Sequence, residues 1–301
     1  MVQAAGTRIG WRDLPAPVRR QIEDIVGGPV VEAVSQAGGF SPGTADRVVT
    51  ADGRRAFVKA VSPALNTESA VLARREARIS AALPGHAPVP RVLGSFDDGD
   101  WVVLVLEDIE GTHPRTPWVA SEIDAAMTAL AELTDVPAPS GLPPVSEAMR
   151  EDFGGWARVA ADPPAGLDPW EADHLPALIA AADRGLARLS DGDTLVHCDI
   201  RADNMLVRPD GRVVIVDWPW AATGPAWFDR VLLALNIVVH GGDPERVISG
   251  LDRSIVTDTF AGFAGYFRDR ARRPPPPSLP SVRAFQRWQA DELRPWLRRE
   301  L

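Results

Sequence analysis

Only one cysteine, Cys198, occurs in the 301 residues, so no internal disulfide can form, as expected of a protein in a reducing compartment. No stretch approaches the roughly 18 consecutive apolar residues that a membrane span needs. The longest apolar runs, Trp101–Leu106 and Val231–Val239, suit a buried strand and a buried helix. The opening residues, Met1 to Arg8, hold no apolar signal region, so the expected location is cytoplasmic. Basic surface is short as well. A net charge of −9 argues against a nucleic-acid partner, because phosphate backbones demand positive charge. Lysine is scarcest of all. Of 32 positive residues only Lys59 is a lysine, and the rest are arginine. Coding bias favours arginine, yet a chain so free to use it keeps one compact ammonium, and that position is a marker.

What is present is ordinary for a soluble globular chain, 45% apolar and 24% charged. The length suggests about two domains at roughly 100–200 residues each. Asp13-Leu14-Pro15-Ala16-Pro17, followed by Val18, Ile22 and Ile25–Val26, predicts an amphipathic helix ending at Gly27-Gly28. Strand-like runs follow at Val30–Gln36, Arg47–Thr50 and Ala56–Val61, then a helix over about Glu68–Leu83. Val92–Phe96 and Trp101–Leu106 flank Asp97-Asp98-Gly99-Asp100 as a hairpin. The first hundred residues therefore predict a five-stranded antiparallel sheet with one long helix after its third strand. Beyond Gly111 the pattern turns helical, clearest at Val119–Leu133 and Ala172–Leu189, with short strands at Leu195–Val196, Met205–Val207 and Val213–Val216. From Phe228 onward it is helical except for a stiff proline-rich connector at Arg273–Pro280.

The strongest chemical signal is His197-Cys198-Asp199-Ile200-Arg201-Ala202-Asp203-Asn204, with Asp217 following at the end of Val213–Val216. The motif has the form H-x-D-x-x-x-x-N and lies between two short strands. Asp199 can orient, or take a proton from, an attacking hydroxyl. Asn204 and Asp217 offer the hard oxygen ligands that suit Mg2+ held against phosphates.

On these residues the chain resembles the aminoglycoside phosphotransferase family, small-molecule kinases of the protein-kinase-like fold. The resemblance covers nearly the whole chain and is strongest from Leu195 to Asp229. It implies an α+β, bilobal protein-kinase-like fold, with a small antiparallel β-sheet lobe carrying one long helix and a larger, mainly helical lobe. The expected limits are 1–107 for the nucleotide-binding lobe, 108–111 for the hinge and 112–301 for the catalytic and acceptor-binding lobe. It also implies that Asp199 is catalytic, that Asn204 and Asp217 bind magnesium, and that ATP or GTP is the donor. Lys59 falls on the third strand, where the fold keeps a lysine for the α- and β-phosphates. Glu76 is the natural carboxylate to hold it, with Glu68 as the competitor. Gly39 and Ser41 would belong to a nucleotide-covering loop, Gly38–Gly43. The carbonyl of Glu107 and the N–H of Ile109 would pair with adenine. Arg201 either offsets charge on the transferred group or simply pairs with Asp203. His197 should pack under the catalytic loop, and Asp229 should tie that loop down. Trp218, Trp220 and Trp227 are expected in the core or between lobes.

Asp217 is followed by Trp218-Pro219, and the run to Asp229 is too short for a mobile activation segment. That favours a small-molecule kinase over a protein kinase. A catalytically inactive nucleotide-binding module is the other alternative, which the presence of all four key groups disfavours. The expected partner is a small hydroxylated acceptor, with no nucleic acid and no membrane. An acidic cleft would favour a cationic acceptor such as an aminoglycoside. A neutral sugar, a nucleoside antibiotic or a metabolic alcohol stays open.

Overall fold

The computed structural model describes residues 8–36, 41–276 and 279–301. The chain begins with helix α1 (Ala16–Val26), which stops where Gly27 adopts a left-handed conformation. Strands β1 (Val30–Ser35), β2 (Thr44–Thr50) and β3 (Arg55–Val61) lead into α2 (Thr67–Ala82), and β4 (Val92–Asp97) and β5 (Val102–Glu107) complete an antiparallel sheet. Its strand order is β1-β2-β3-β5-β4. The five-stranded sheet and its inserted helix are thus as expected. β2 starts three residues earlier than the sequence pattern suggested, because the pairing with β3 already holds at Thr44.

Alternation along β3 decides what this part of the chain can do. Ala56, Val58 and Ala60 pack on one face with Val18, Ile22 and Val26 of α1. Lys59 therefore points to the other face, toward α2. Asn66 caps that helix, its side-chain oxygen accepting the Ser69 N–H at 2.7 Å.

The remainder holds α3 (Ala120–Thr134), the short helices α4 (Val145–Ala148), α5 (Arg150–Phe153), α6 (Gly155–Ala161) and α7 (Pro169–Asp173), and then α8 (Leu175–Arg188). The continuous helix expected over Ala172–Leu189 is broken at His174, where α7 ends and α8 starts with Pro176 in its first turn. Strands β6 (Thr194–Val196), β7 (Met205–Val207), β8 (Val213–Ile215) and β9 (Ala222–Gly224) form two small two-stranded sheets, the β7–β8 hairpin and, enclosing it in the chain, β6 with β9. Helices α9 (Phe228–Val239), α10 (Glu245–Ile248), α11 (Arg253–Ala271) and α12 (Val282–Glu300) follow. The proline run reaches Pro277 and Ser278, which lie outside the described residues. A core centred on Phe153, Trp156, Leu178, Phe228, Phe260 and Trp296 holds this part together. Trp218 is buried in it and Trp227 packs at its margin, but Trp220 is 43% exposed and is not part of that core. Among the described residues no helix is long and apolar enough to cross a membrane.

α11 is the central helix, and α6 approaches it backbone to backbone. A Cβ on Gly155 would collide with the carbonyl group of Gly265. Backbone cannot swing aside as a side chain can. Gly155→Ala is therefore expected to cost roughly 1–3 kcal/mol, the usual range for overpacking. Thermal melting measures it, and an unchanged midpoint would show that the two helices are not in register here.

Candidate active site

The His197–Asn204 motif leaves β6 and turns sharply. Cys198 has φ 69°, a left-handed conformation that costs a non-glycine residue about 1 kcal/mol or more. Asp229, in the first turn of α9, holds the turn in place. Its two oxygens accept the N–H groups of His197 at 2.6 Å and Cys198 at 3.0 Å. Burial pushes its carboxyl pKa up, and the nearby His197 and these two N–H groups oppose the shift. Asp229 thus ties the loop as expected.

His197 is fully buried and works from below. Its Nδ1 accepts the Asp199 N–H at 3.2 Å, so Nε2 carries the hydrogen that it donates to the Val216 carbonyl at 3.0 Å. The ring meets Trp218 edge-on at 4.7 Å between centroids. One imidazole thereby links the segment bearing Asp199 to the strand that delivers Asp217. A second link runs beside it, the Val216 N–H donating to the Asn204 carbonyl at 2.9 Å.

Asn204 orients Asp199 directly. Its side-chain NH2 donates to the Asp199 backbone carbonyl at 2.8 Å and to Oδ2 at 2.9 Å. With the nitrogen so engaged, the amide oxygen is the atom left to face a cation. Asp217, also left-handed at φ 70°, is 44% exposed at its side chain. Lys59 Nζ bridges Glu76 Oε1 at 2.7 Å and Asp217 Oδ1 at 2.8 Å. Burial works to lower the lysine's pKa, but Asp217 and Glu76 outweigh it and raise it, so the ammonium persists. Burial likewise opposes ionisation of Asp217, and Lys59 overrides it and holds the carboxyl below its usual range. Glu76, not Glu68 in the first turn of α2, is the lysine's partner.

Asp199 stays open to solvent on one side, and burial raises its pKa against the pull of Arg201 and His197. Of the two readings given to Arg201, the structure shows the pairing with Asp203. It makes a bidentate pair with Asp203, at 2.9 and 2.5 Å, and its third nitrogen lies 3.6 Å from Asp199 Oδ1. It is no exposed surface arginine. Only 18% of its side chain meets solvent.

Of the expected covering loop, Gly39 lies outside the described residues. The Ser41 hydroxyl accepts the Gly43 N–H at 3.2 Å, so it stabilises the turn. Gly43 is required by packing, because a Cβ there would meet the Ala60 carbonyl. At the junction after β5, the Glu107 N–H donates to the Arg91 carbonyl at 2.8 Å. The Ile109 carbonyl accepts from Arg47 at 2.5 Å, and Arg47 and Arg55 both bind the buried Asp108, at 2.6 and 2.8 Å. Sequence reading missed this clamp. Its only signal was two arginines on adjacent strands that end beside an acidic dipeptide.

No group of three or more His, Cys, Asp or Glu among the described residues could hold a metal. Asn204 and Asp217 offer two oxygens. That suits an ion such as Mg2+, which takes few protein ligands and completes its shell with phosphate oxygens and water.

The sequence matches the phosphotransferase enzyme family over residues 37–266, about three quarters of the chain. No curated protein matches it. Among solved structures, the chain resembles an aminoglycoside phosphotransferase from Alicyclobacillus acidocaldarius, with 18% identity, 95% of each chain covered and a TM-score of 0.55. It also resembles a thermostable mutant of aminoglycoside phosphotransferase APH(4)-Ia in ternary complex with AMP-PNP and hygromycin B. The identity there is 12%, with 94% of this chain and 98% of that one covered and a TM-score of 0.63. The amicoumacin kinase hAmiN, in complex with AMP-PNP, Ca2+ and Ami, is 10% identical over 93% of each chain, with a TM-score of 0.58.

Asp229 offers the sharpest test of how the loop is held. Asp229→Asn keeps the shape but turns an NH2 toward one of two N–H donors. Losing a charge-assisted bond and leaving that donor unmet should cost roughly 2–3 kcal/mol of stability. A melting midpoint within 1 °C of the parent would show that other contacts hold the Cys198 turn.

Proposed function

The chain belongs to the phosphotransferase enzyme family, and from that premise we propose that it moves the γ-phosphoryl group of ATP, or of GTP, to a hydroxyl of a small molecule. Residues 1–107 would bind the nucleotide, 108–111 would hinge, and 112–301 would carry the catalytic loop and the acceptor. The observation that carries this reading is the connected set Glu76–Lys59–Asp217, joined through Val216 and His197 to Asp199 and Asn204.

Asp199 faces the acceptor and orients its hydroxyl, while Asn204 fixes the carboxylate. Mg2+, when bound by the Asn204 and Asp217 oxygens, would neutralise charge on the phosphates. Lys59 supplies a point charge for the α- and β-phosphates, and Arg201, beside Asp199, balances charge that develops on the transferred group. The Glu107 carbonyl and the Ile109 N–H would receive the base, with Gly39 and Ser41 over the phosphates. Catalysis by such a site is mostly positioning and electrostatics, since the transition state is loose. Nucleotide analogues and antibiotic substrates in the complexes of its structural neighbours support the reading. So does a neighbour named a putative fructosamine-3-kinase. An inactive module is disfavoured because the four groups are not merely present but held in two bonded pairs, Lys59 with Asp217 and Asn204 with Asp199. A protein kinase is disfavoured because β9, only five residues beyond Asp217, is already paired with β6.

The direct test is incubation with ATP or GTP and Mg2+ against a panel of hydroxylated metabolites and antibiotics, read as the mass gain of one phosphoryl group. Asp199→Ala should lower kcat by roughly 100-fold or more, the contribution of a positioned base, with nucleotide affinity nearly unchanged. Near-parental turnover would remove Asp199 from the mechanism.

Lys59→Arg tests the donor side. The planar guanidinium cannot sit where the ammonium touches both Glu76 and Asp217. The expected loss in kcat/KM for the nucleotide is about 10-fold or more, with thermal melting little changed. Unchanged kinetics would reduce the only lysine to an accident of composition.

A further inference from the structure

Residues 107 and 109, which the proposed function gives to the nucleotide base, lie beside a clasp that comes from β2. Arg47 pairs with Phe57 of β3, and Phe57 with Leu106 of β5, so the three lie side by side on one face of the sheet. Lys59 is two residues along β3 from Phe57 and shares that face. Arg47 thus stands on the same side of the sheet as Lys59, and its guanidinium crosses to residues 108 and 109. Its Nε donates to Asp108 Oδ1 at 2.6 Å and its Nη2 to the Ile109 carbonyl at 2.5 Å. Arg55, the first residue of β3, holds the other oxygen of Asp108 at 2.8 Å.

The two polar groups of Ile109 are therefore unequal. Its carbonyl is taken by a charged donor, while among the described residues its N–H donates to no backbone carbonyl. Adenine and guanine ask different things of such a residue. Adenine offers a donor, N6–H2, beside an acceptor, N1. The Glu107 carbonyl and the Ile109 N–H satisfy both, and the Ile109 carbonyl is not needed. Guanine reverses the pattern, with O6 an acceptor and N1–H and N2–H2 donors. Once O6 takes the Ile109 N–H, the donors beside it require the carbonyl of the same residue. Arg47 already occupies it. The second lone pair of that oxygen does not help, because guanine's N–H groups would face a guanidinium that has only donors and positive charge to offer. Donors left unmet in a closed site cost affinity.

Resting on the phosphotransferase reading, we infer that Arg47 sets the choice of phosphoryl donor: by capping the Ile109 carbonyl it admits adenine nucleotides and turns guanine nucleotides away. Of ATP and GTP, the contact favours ATP. Asp108 keeps the arginine in place. Its carboxylate is only 3% exposed and fixes Arg47 through Nε, which leaves Nη2 aimed at the carbonyl. Arg47 is thus a specificity residue that acts through the backbone of the next segment.

The test measures binding of ADP and of GDP, each with Mg2+, to the parent and three variants, with melting curves to confirm folding. The parent should bind ADP about tenfold or more tightly than GDP. Arg47→Met frees the carbonyl and should shrink that ratio about tenfold. Arg47→Lys serves if Arg47→Met does not fold. It keeps a charge beside Asp108, but one ammonium replaces the two nitrogens that reach Asp108 and Ile109, so the ratio should shrink there too. Arg55→Met also strips a partner from Asp108 yet leaves the Ile109 carbonyl capped, and its ratio should stay parental. Equal ADP and GDP binding by the parent would overturn the inference. So would a parental ratio in the folded Arg47 variant, or an equal shrinkage in Arg55→Met. In each of these cases MgADP binding leaves the phosphotransferase reading standing. Failure of the parent to bind either nucleotide would instead bring down that reading, and this inference with it.

Discussion

Everything on the proposed donor side turns on one ammonium held between two carboxylates. Lys59 comes from β3, Glu76 from α2 and Asp217 from the segment after β8, so a single group fastens three separate pieces of chain. Removing either acid would leave the others unbalanced, since a partly buried charge without its partner is expensive. The geometry also explains why α2 stands where it does. Arg75, the neighbour of Glu76, donates to the Ala221 carbonyl at 2.9 Å, so two successive residues of α2 reach the segment around Asp217. A helix doubly tied in this way needs no separate event to bring its glutamate into place.

The acceptor side is held differently. There the backbone carries the strain and neighbours relieve it. Cys198 and Asp217 both sit in left-handed conformations, on either side of the His197 ring. Asp229 fixes the first, while His197 and Asn204 anchor the chain around the second. The cost of two such residues is of order 1–3 kcal/mol each, and it aims two carboxylates into one cleft from chain segments that would otherwise run past each other.

Much of this was legible in the sequence, and the reasons differ by residue. Lys59 stood out as the only lysine, and the resemblance to the kinase-like fold set it on the third strand with Glu76 of the next helix as its partner. The order of apolar runs and turns carried the five-stranded sheet. What stayed hidden depends on three-dimensional proximity without local pattern. β9 is three residues, Ala222-Thr223-Gly224, with no apolar alternation, and becomes a strand only because β6 lies beside it. The break at His174 was masked by apolar residues continuing in helical period through it. Trp220 read as core because tryptophan usually is, and only the turn after Pro219 sends it outward. Arg47 and Arg55 look like surface charges in sequence, yet they meet at Asp108 because Arg47 pairs with Phe57, two residues along β3 from Arg55, and β3 runs beside the end of β5.

The contrast between one lysine and so many arginines then has a structural sense. The arginines cross-link. Arg268 joins Glu171 of α7 to Asp291 of α12, at 2.6 and 2.8 Å, and Arg253 joins Glu245 of α10 to Glu300 of α12, at 2.9 Å to each. Asp269, fully buried, gathers Arg158, Arg272 and Arg273. A planar fork with several fixed N–H directions suits such bridges, because each pair it makes is also a statement about orientation. The donor site asks for the opposite. On the proposed function, a group that serves two carboxylates when the cleft is empty and phosphate oxygens when it is filled needs charge without direction. A rotating ammonium on a flexible stem can exchange one set of oxygens for another without moving the strand beneath it, and a guanidinium cannot. In this chain the choice between the two cations follows the work each position has to do.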